Sequence, residues 1–271
     1  MTQAKDCFSR VSPLQVRDGV AAPSTRAIAQ ETAVAVVHDG ATFAVMMATP
    51  ADIEDFAVGL SLSEGVIQDL GQVRDMEVIV TEHGVEARLW LDRPAGTALA
   101  ERRRALAGPT GCGLCGIESL QAVTAAPAPD VQTGGAVITA DEVTMMLKAL
   151  SATQALGNET RAVHAAGFWT PKEGMVVVRE DVGRHNALDK VAGALARLGR
   201  DGQGGVVVLT SRVSIDMLQK TLRLGAAVIV AVSAPTSMAI RAAEAAGLTL
   251  IAIARDDGFE VFTHPQAVAL P

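Results

Sequence analysis

The carboxyl-terminal part of the chain alternates short, continuously apolar runs with segments of helical pattern. The apolar runs cover residues 205–209, 227–232 and 248–254, and helices are predicted between them at 214–224 and 236–246. Apolar runs without polar alternation are typical of strands that are buried on both faces. Strands separated by helices form a parallel sheet with helices on both sides. This rhythm therefore predicts an α/β domain.

The region before this domain has the signals of β-hairpins and one helix. Residues 32–47 and 76–91 each contain two β-rich runs around a turn, and Asp39-Gly40 is a pair that favours a tight turn. Thr49 is placed to cap a helix with Pro50 at its first position. These patterns predict a smaller N-terminal α+β domain. The full division is a flexible, polar and irregular arm at 1–28, the α+β domain at 29–110, a cysteine loop and helix at 111–125, and the α/β domain at 126–271.

Two of the three cysteines, Cys112 and Cys115, have C-x-x-C spacing in the glycine-rich segment 110–116. Glycines around and between them favour presentation of the thiols over packing. The pair can be half of a zinc site, a thioredoxin-type redox pair, two inert loop cysteines or a persulfide carrier. No second pair of ligands has zinc-site spacing, and the residues before the loop are a poor strand for a redox motif. A persulfide carrier needs an exposed, reactive thiol, which a helix start and nearby arginines would favour.

Composition restricts the classes of function. The formal net charge is −7, aromatic residues make up 3% and tyrosine is absent, which disfavours charge-driven nucleic-acid binding and aromatic base stacking. No apolar run reaches the roughly 18 residues of a membrane span. The N-terminus lacks the apolar block of a secretory signal. Three cysteines do not form a disulfide framework for a chain of this length, so we expect a cytoplasmic protein with reduced thiols.

Polar and charged residues follow the predicted strands, at the edge of the sheet where α/β proteins bind ligands. They are Thr210, Ser211 and Arg212 after the first apolar run, Ser233, Thr236 and Ser237 after the second, Arg255, Asp256, Asp257 and Gly258 after the third, and Arg184 and His185 after an earlier strand. Hydroxyls, arginines and helix N-termini suit a phosphate or pyrophosphate. The Ser and Thr residues can equally be helix caps, and His185 can equally be bonded to local backbone. Neither G-x-G-x-x-G nor a P-loop motif occurs, so ordinary NAD and ATP sites lack support.

Several sequence blocks together resemble the formate dehydrogenase accessory sulfurtransferase family, the FdhD/NarQ family. The blocks are ATPADIEDFA at 48–57, SEG at 63–65, GCGLCGIESL at 111–120, EDVGRHNALDK at 180–190, VSAPTS at 232–237 and AGLTL at 246–250. They occur in order between about Thr32 and Gln266, which makes the resemblance far more specific than a single C-x-x-C.

The resemblance implies a cytidine-deaminase-like three-layer α/β domain, here without the H-x-E and P-C-x-x-C motifs of the deaminase zinc site. It implies a cytoplasmic homodimer without a resident metal. Such a protein takes sulfur from a cysteine desulfurase and delivers it to the molybdenum of the bis(molybdopterin guanine dinucleotide) cofactor, Mo-bis-MGD. The recipient of the sulfurated cofactor is the formate dehydrogenase apo-enzyme. The rival interpretation is a non-catalytic chaperone that holds the cofactor or the apo-enzyme.

The resemblance also implies roles for particular residues. Cys112 and Cys115 become the persulfide pair, with Cys112 as the main intermediate. The stretch Ile253, Ala254, Arg255, Asp256, Asp257 and Gly258 stands where the family places a cofactor-binding segment, and GDP would mimic part of that cofactor. Two features depart from the family pattern: Ser211 replaces a common glycine, and Asp256-Asp257 adds negative charge beside an anionic ligand.

Overall fold

The structure is a computed structural model that describes residues 7–97 and 138–269. Within these ranges the strands are β1 (Phe8–Val11), β2 (Leu14–Arg17), β3 (Val20–Pro23), β4 (Arg26–Ala29), β5 (Thr32–His38), β6 (Ala41–Ala48), β7 (Val73–Thr81), β8 (Gly84–Leu91), β9 (Ile138–Thr139), β10 (His164–Thr170), β11 (Gly174–Asp181), β12 (Val206–Leu209), β13 (Val228–Ala231), β14 (Thr249–Arg255), β15 (Gly258–Val261) and β16 (Val268–Ala269). The helices are α1 (Ile53–Ser63), α2 (Ala140–Thr153), α3 (Ala155–Thr160), α4 (Arg184–Arg197), α5 (Ile215–Leu224) and α6 (Ser237–Ala245), with 3-10 turns at Leu70–Gln72 and Pro265–Ala267. The predicted sulfur-carrying residues Cys112 and Cys115 lie outside the described residues.

The larger sheet has six strands in the order β11-β10-β12-β13-β14-β15. β12, β13 and β14 are parallel to one another, as the apolar runs predict. β10 and β15 pair antiparallel with β12 and β14, and β11 pairs antiparallel with β10. The sheet is therefore mixed, with a parallel centre between antiparallel flanks.

Helices cover both faces of this sheet. Val207 and Leu209 of β12 lie in a core cluster with side chains of α4, α5 and α6. Val206 and Val208 lie in a second cluster with side chains of α2. Because successive side chains of a strand point to opposite faces, the two clusters lie on opposite sides of the sheet. The prediction of a sheet covered on both faces is confirmed.

The smaller sheet has four strands in the order β6-β5-β8-β7. Its two hairpins are those that the sequence predicts, joined side by side by parallel pairing of β5 with β8. Asp39 and Gly40 form the first turn with φ of 48° and 79°, the left-handed pair that a type I′ turn requires. α1 contributes Phe56, Ala57 and Leu60 to the core of this sheet.

Residues 7–29 form a β-ribbon, which corrects the prediction of an irregular arm. β1 pairs with β4 and β2 pairs with β3, both antiparallel. The ribbon turns at Asp18 and Gly19, with φ of 50° and 79°. An Asp-Gly turn signal is thus present here as well, but strands of four residues interrupted at Ser12-Pro13 are too short to give a clear periodic pattern.

The first helix begins later than the sequence predicts. α1 starts at Ile53 after Asp52, whose φ is 53° and whose side chain makes no capping bond. Thr49, the predicted cap, is 1% exposed, and its Oγ1 accepts a hydrogen bond from the backbone N of Val182 at 3.1 Å. Thr49 therefore joins the two halves of the protein and does not start the helix.

α1 and α4 cross at two glycines, Gly59 and Gly193. A Cβ added to Gly59 would stand 1.7 Å from the backbone oxygen of Asp189, and one added to Gly193 would stand 1.9 Å from that of Asp55. Backbones can approach this closely only where neither residue has a side chain. α1, which packs on the four-stranded sheet, thus lies directly against α4, which packs on the six-stranded sheet.

Buried carboxylates flank this crossing and pair with cations of the larger domain. Asp55 accepts hydrogen bonds from Arg179 Nε at 2.9 Å and from an Arg197 guanidinium nitrogen at 2.6 Å. Asp189 accepts from Ser63 Oγ at 2.6 Å and from Lys220 Nζ at 2.8 Å. Each carboxylate is compensated, which removes the penalty of burying an unpaired charge beside the glycines.

A buried ion pair joins Asp181, at the end of β11, to Lys190 of α4, and both residues also bond to Thr49. The charged atoms are 2.6 Å apart, and both side chains are 0% exposed. Asp181 also accepts hydrogen bonds from the backbone N of Thr49 and Gly183 and from Asn186 Nδ2, at 3.0, 2.8 and 2.9 Å. Lys190 donates to Thr49 O at 3.0 Å. We call these five residues the Asp181 junction, and its full set of hydrogen bonds offsets the desolvation of the two charges.

Gly59→Ala is expected to destabilise the fold by about 2 kcal/mol or more, because the added methyl meets rigid backbone that no side-chain rotation can clear. Urea unfolding followed by circular dichroism measures the change. Gly71→Ala is the matched control: its Cβ would meet the side-chain oxygen of Asp69 at 2.9 Å, which can move, and we expect a change within about 0.5 kcal/mol. Wild-type stability for Gly59→Ala would contradict the close helix crossing.

Lys190→Met is expected to cost about 3–5 kcal/mol, because it leaves the Asp181 carboxylate buried without its cation. The same unfolding measurement applies. The double variant Lys190→Met with Asp181→Asn tests the coupling, and its cost should be smaller than the sum of the two single costs. Strictly additive costs would show that the two side chains do not interact.

Candidate functional site

The carboxyl ends of β11, β12, β13 and β14 lie at one edge of the larger sheet, which we call the carboxyl edge. β11 and β12 run in the same direction because each pairs antiparallel with β10. β13 and β14 are parallel to β12. The four segments of polar residues that the sequence predicts as a site therefore emerge at the same edge.

Backbone hydrogen bonds hold the loops of the carboxyl edge against one another. The loops after β12 and β13 are joined by Val213 N to Ala234 O at 3.3 Å and by Thr236 N to Val213 O at 2.9 Å. The backbone N of Ile253 in β14 donates to Ser233 O at 3.2 Å. The three neighbouring segments thus form one connected rim.

Three helices begin at this rim. The N-cap residues of α4 and α5, Gly183 and Ser214, make no side-chain capping bond, whereas Thr236 Oγ1 of α6 accepts from Ala239 N at 3.2 Å. Helix N-termini leave backbone N–H groups without partners inside the helix and carry partial positive charge. The carboxyl edge is thus disposed towards an anion by backbone as well as by side chains.

His164 is a member of the site that the sequence analysis missed. It is the half-buried first residue of β10 and lies opposite Asp181 of β11 in the sheet register. Burial lowers the pKa of His164 below its ordinary value, and the charges of Arg184, His185 and Arg212 lower it further. These four residues, two of them positively charged arginines, form a group at the edge that we call the edge cluster.

Two nitrogens of the edge cluster are shielded from water without a hydrogen-bond partner among the described residues, Arg184 Nε and His185 Nε2. His185 Nε2 lies 3.6 Å from Asp216 Oδ2, an ion-pair distance that is too long for a hydrogen bond. The neighbouring His185 holds the pKa of Asp216 below its ordinary value. A buried polar atom without a partner costs about 1–3 kcal/mol, and a bound anion would offset this cost at Arg184 Nε, whereas His185 Nε2 already faces Asp216.

Several of the predicted site residues have structural roles. Thr210 Oγ1 accepts from Ala165 N at 2.9 Å, which extends the pairing of β12 with β10. Ser211 is buried, and its Oγ donates to Arg212 O at 3.2 Å. Thr236 caps α6. The capping interpretation is therefore confirmed for Thr236, while Arg212, Ser237 and the half-buried Ser233 remain accessible at the rim.

The predicted cofactor-binding stretch forms the hairpin between β14 and β15. Arg255 pairs with Gly258, and Asp256 and Asp257 form the exposed turn between them. Ala254 is 0% exposed and packs in the core on the side of α2, so this member of the predicted stretch has no surface that a ligand can contact. Ile253 has a φ of 52° at a β-bulge, a left-handed conformation that is rare for a β-branched residue.

Residues 7–97 and 138–269 contain neither a candidate metal-binding group nor a candidate membrane-spanning helix. No group of three or more His, Cys, Asp and Glu side chains there is arranged to hold a metal ion. No helix in these ranges has the length and apolar character that crossing a bilayer requires.

Comparison with known proteins places the chain among relatives that cover nearly all of it. A protein of Agrobacterium fabrum named Sulfur carrier protein FdhD is 47% identical over 264 residues, which is 97% of this chain and 97% of that protein. A protein of the same name from Cupriavidus necator is 49% identical over 243 residues, which is 88% of this chain and 82% of that protein.

A solved structure shares the fold. The crystal structure of a protein from Desulfotalea psychrophila, described as a formate dehydrogenase accessory protein, superposes with a TM-score of 0.74. It is 24% identical and covers 97% of this chain and 100% of its own. The model of the FdhD/NarQ family matches residues 29–269. The resemblance seen in the sequence blocks is confirmed, and the chain belongs to the FdhD/NarQ family.

Proposed function

We propose that this protein is a sulfur carrier that accepts persulfide sulfur from a cysteine desulfurase and transfers it to Mo-bis-MGD for formate dehydrogenase. The name shared by its relatives, Sulfur carrier protein FdhD, supports the sulfur-carrier role. The C-x-x-C pair Cys112 and Cys115 supplies the thiols that such a role needs.

The edge cluster is the observation that carries the proposal. Arg184 Nε and His185 Nε2 have no hydrogen-bond partner among the described residues, and the charge of Arg212 adds to that of Arg184. A pyrophosphate offers several acceptor oxygens and negative charge to such a group. Each guanine dinucleotide of Mo-bis-MGD contains one pyrophosphate, so the residues at the carboxyl edge fit this substrate.

Sulfur acceptance is a thiol–disulfide exchange. The Cys112 thiolate attacks the terminal sulfur of the desulfurase persulfide, a new S–S bond forms at Cys112, and the donor cysteine leaves as a thiolate. The carboxyl edge would hold the nucleotide ends of the cofactor while the cysteine segment reaches its metal.

Delivery requires sulfur at the oxidation level of sulfide, and the second thiol provides the two electrons. The Cys115 thiolate attacks Cys112 Sγ, closes a Cys112–Cys115 disulfide and releases hydrosulfide. Hydrosulfide replaces an oxygen ligand of molybdenum, which leaves as water with the hydrosulfide proton and one proton from solvent. A cellular dithiol then reduces the disulfide.

The proposal extends to assembly, compartment and fold type. We propose a cytoplasmic homodimer whose larger domain has the cytidine-deaminase arrangement of strands and helices. The six-stranded sheet covered by helices on both faces supports the last point.

Cys112→Ala is expected to abolish persulfide loading, because it removes the nucleophile that takes the sulfur. Intact-mass spectrometry after incubation with a cysteine desulfurase and cysteine detects the mass of one added sulfur atom. Cys7→Ala is the matched control and should load normally, because Cys7 is 3% exposed in the ribbon and is shielded from the donor. Undiminished loading of Cys112→Ala would remove Cys112 from the assigned role.

The double variant Cys112→Ala with Cys115→Ala separates the carrier from the chaperone. A carrier without thiols should fail to activate formate dehydrogenase in cells that lack the wild-type protein. Full activation by the double variant would establish the non-catalytic chaperone in its place.

Arg184→Gln and Arg255→Gln are each expected to weaken GDP binding by about 1–3 kcal/mol, the scale of a lost charged hydrogen bond. Isothermal calorimetry measures the affinity. Arg200→Gln is the matched control, because Arg200 pairs with Glu173 in the turn between β10 and β11, at the opposite edge of the sheet. GDP affinity that is unchanged in both edge variants would contradict the assigned anion site.

A further inference from the structure

We propose that His164 is the proton-accepting residue of the anion site, so that a diphosphate diester binds at the carboxyl edge together with one proton taken up by the His164 imidazole. The inference rests on the proposed function, because the diphosphate concerned is that of a guanine dinucleotide. It adds a residue and a coupling that the family resemblance does not assign.

The topology of the sheet places His164 at the centre of the edge cluster. β10 lies between β11 and β12, and His164 is the residue with which β10 begins. On one side is Asp181, which leads into Arg184 and His185. On the other side Thr210 is bonded to Ala165, the residue after His164, through Thr210 N to Ala165 O at 3.1 Å and Ala165 N to Thr210 Oγ1 at 2.9 Å.

The charges that face His164 come from three elements. α4 contributes Arg184 and His185, and the loop after β12 contributes Arg212. β11 contributes Asp181, whose negative charge acts in the opposite direction. Because Asp181 is already paired with Lys190 at 2.6 Å, it only partly offsets the cations. The surroundings of His164 are therefore positive before a ligand binds.

This environment favours the neutral form of the imidazole in the free protein. Burial is the largest influence that lowers the pKa of His164, followed by the charge of Arg184. A diphosphate diester brings two negative charges, which counter Arg184 and Arg212 and accept a hydrogen bond from the protonated ring. Both effects raise the pKa of His164 in the complex.

The sign of the coupling follows from these two states. At a pH above the pKa that His164 has in the complex, neither the free nor the bound protein holds the proton. At a pH below the pKa that His164 has in the free protein, both of them hold it. Between these values binding takes up one proton, so affinity rises as pH falls, by up to about tenfold per pH unit. His185 is expected to contribute less, because the Asp216 carboxylate already lies 3.6 Å from its Nε2.

The test uses diguanosine diphosphate, two guanosines joined through their 5′ oxygens by one pyrophosphate. Its diester phosphates do not titrate near neutral pH, whereas a terminal phosphate such as that of GDP titrates at about pH 6 and would mask the effect. Calorimetric titrations in two buffers of different ionisation enthalpy count the protons directly. In titrations from about pH 8 down to about pH 6, the wild-type protein should take up a fraction of a proton on binding, at most one, and should bind more tightly at the lower pH.

Two variants assign the proton. His164→Gln should bind without proton uptake at any pH, with the affinity that the wild type has at the upper end of the range. His185→Gln should lose affinity but retain the uptake. His164→Asn is measured in parallel, and thermal melting in the same buffers confirms that each variant is folded.

The outcomes distinguish this inference from the proposed function. Wild-type binding without proton uptake would overturn the role of His164 and leave the carboxyl edge as the anchor. Uptake that persists in both His164 variants and disappears in His185→Gln would also overturn it, since the proton then belongs to His185. Absence of binding at every pH would overturn the carboxyl-edge site itself, and with it the anchoring step of the proposed function.

Discussion

The buried pair of Asp181 and Lys190 determines the shape of the carboxyl edge. Asp181 is the last residue of β11, and its hydrogen bonds to Gly183 N and Asn186 Nδ2 fix the turn from that strand into α4. Arg184 and His185 lie in this turn, so the Asp181 carboxylate determines their position, although neither residue forms a hydrogen bond with it. A buried charge pair adds little net stability, but it is specific in geometry because every departure leaves a charge without its partners.

The smaller domain takes part in the same arrangement. Thr49 donates its backbone N–H to Asp181 and accepts from Val182 and Lys190. Together with the crossing of α1 and α4 at Gly59 and Gly193, this makes the site dependent on both halves of the protein.

Local patterns in the sequence predict part of this structure well. Continuous apolar runs identify β12, β13 and β14, and Asp39-Gly40 identifies the turn between β5 and β6, because burial on both faces and left-handed turns each restrict residue type locally. The edge residues Arg184, Arg212 and Arg255 were placed correctly at the ends of strands for the same reason. Their roles as ligand contacts remain predictions.

Non-local pairing explains what the sequence patterns did not predict. His164 joins the site because β10 is inserted between β11 and β12, and no periodicity within β10 specifies its neighbours. Thr49 has the residue type and spacing of a helix cap, yet it bonds instead to Asp181, which is 132 residues away in the chain. The same competition explains Thr210, whose hydroxyl completes strand pairing with Ala165.

The left-handed backbone at Ile253 affects how the carboxyl edge would bind a ligand. Such a conformation costs a β-branched residue about 1–3 kcal/mol, and it persists only where the surroundings enforce it. Here the enforcing contacts are the buried methyl of Ala254 and the bond from Ile253 N to Ser233 O. This part of the rim is therefore preorganised, because the free-energy cost of its backbone conformation is met when the chain folds. Less conformational entropy is then lost when a ligand binds.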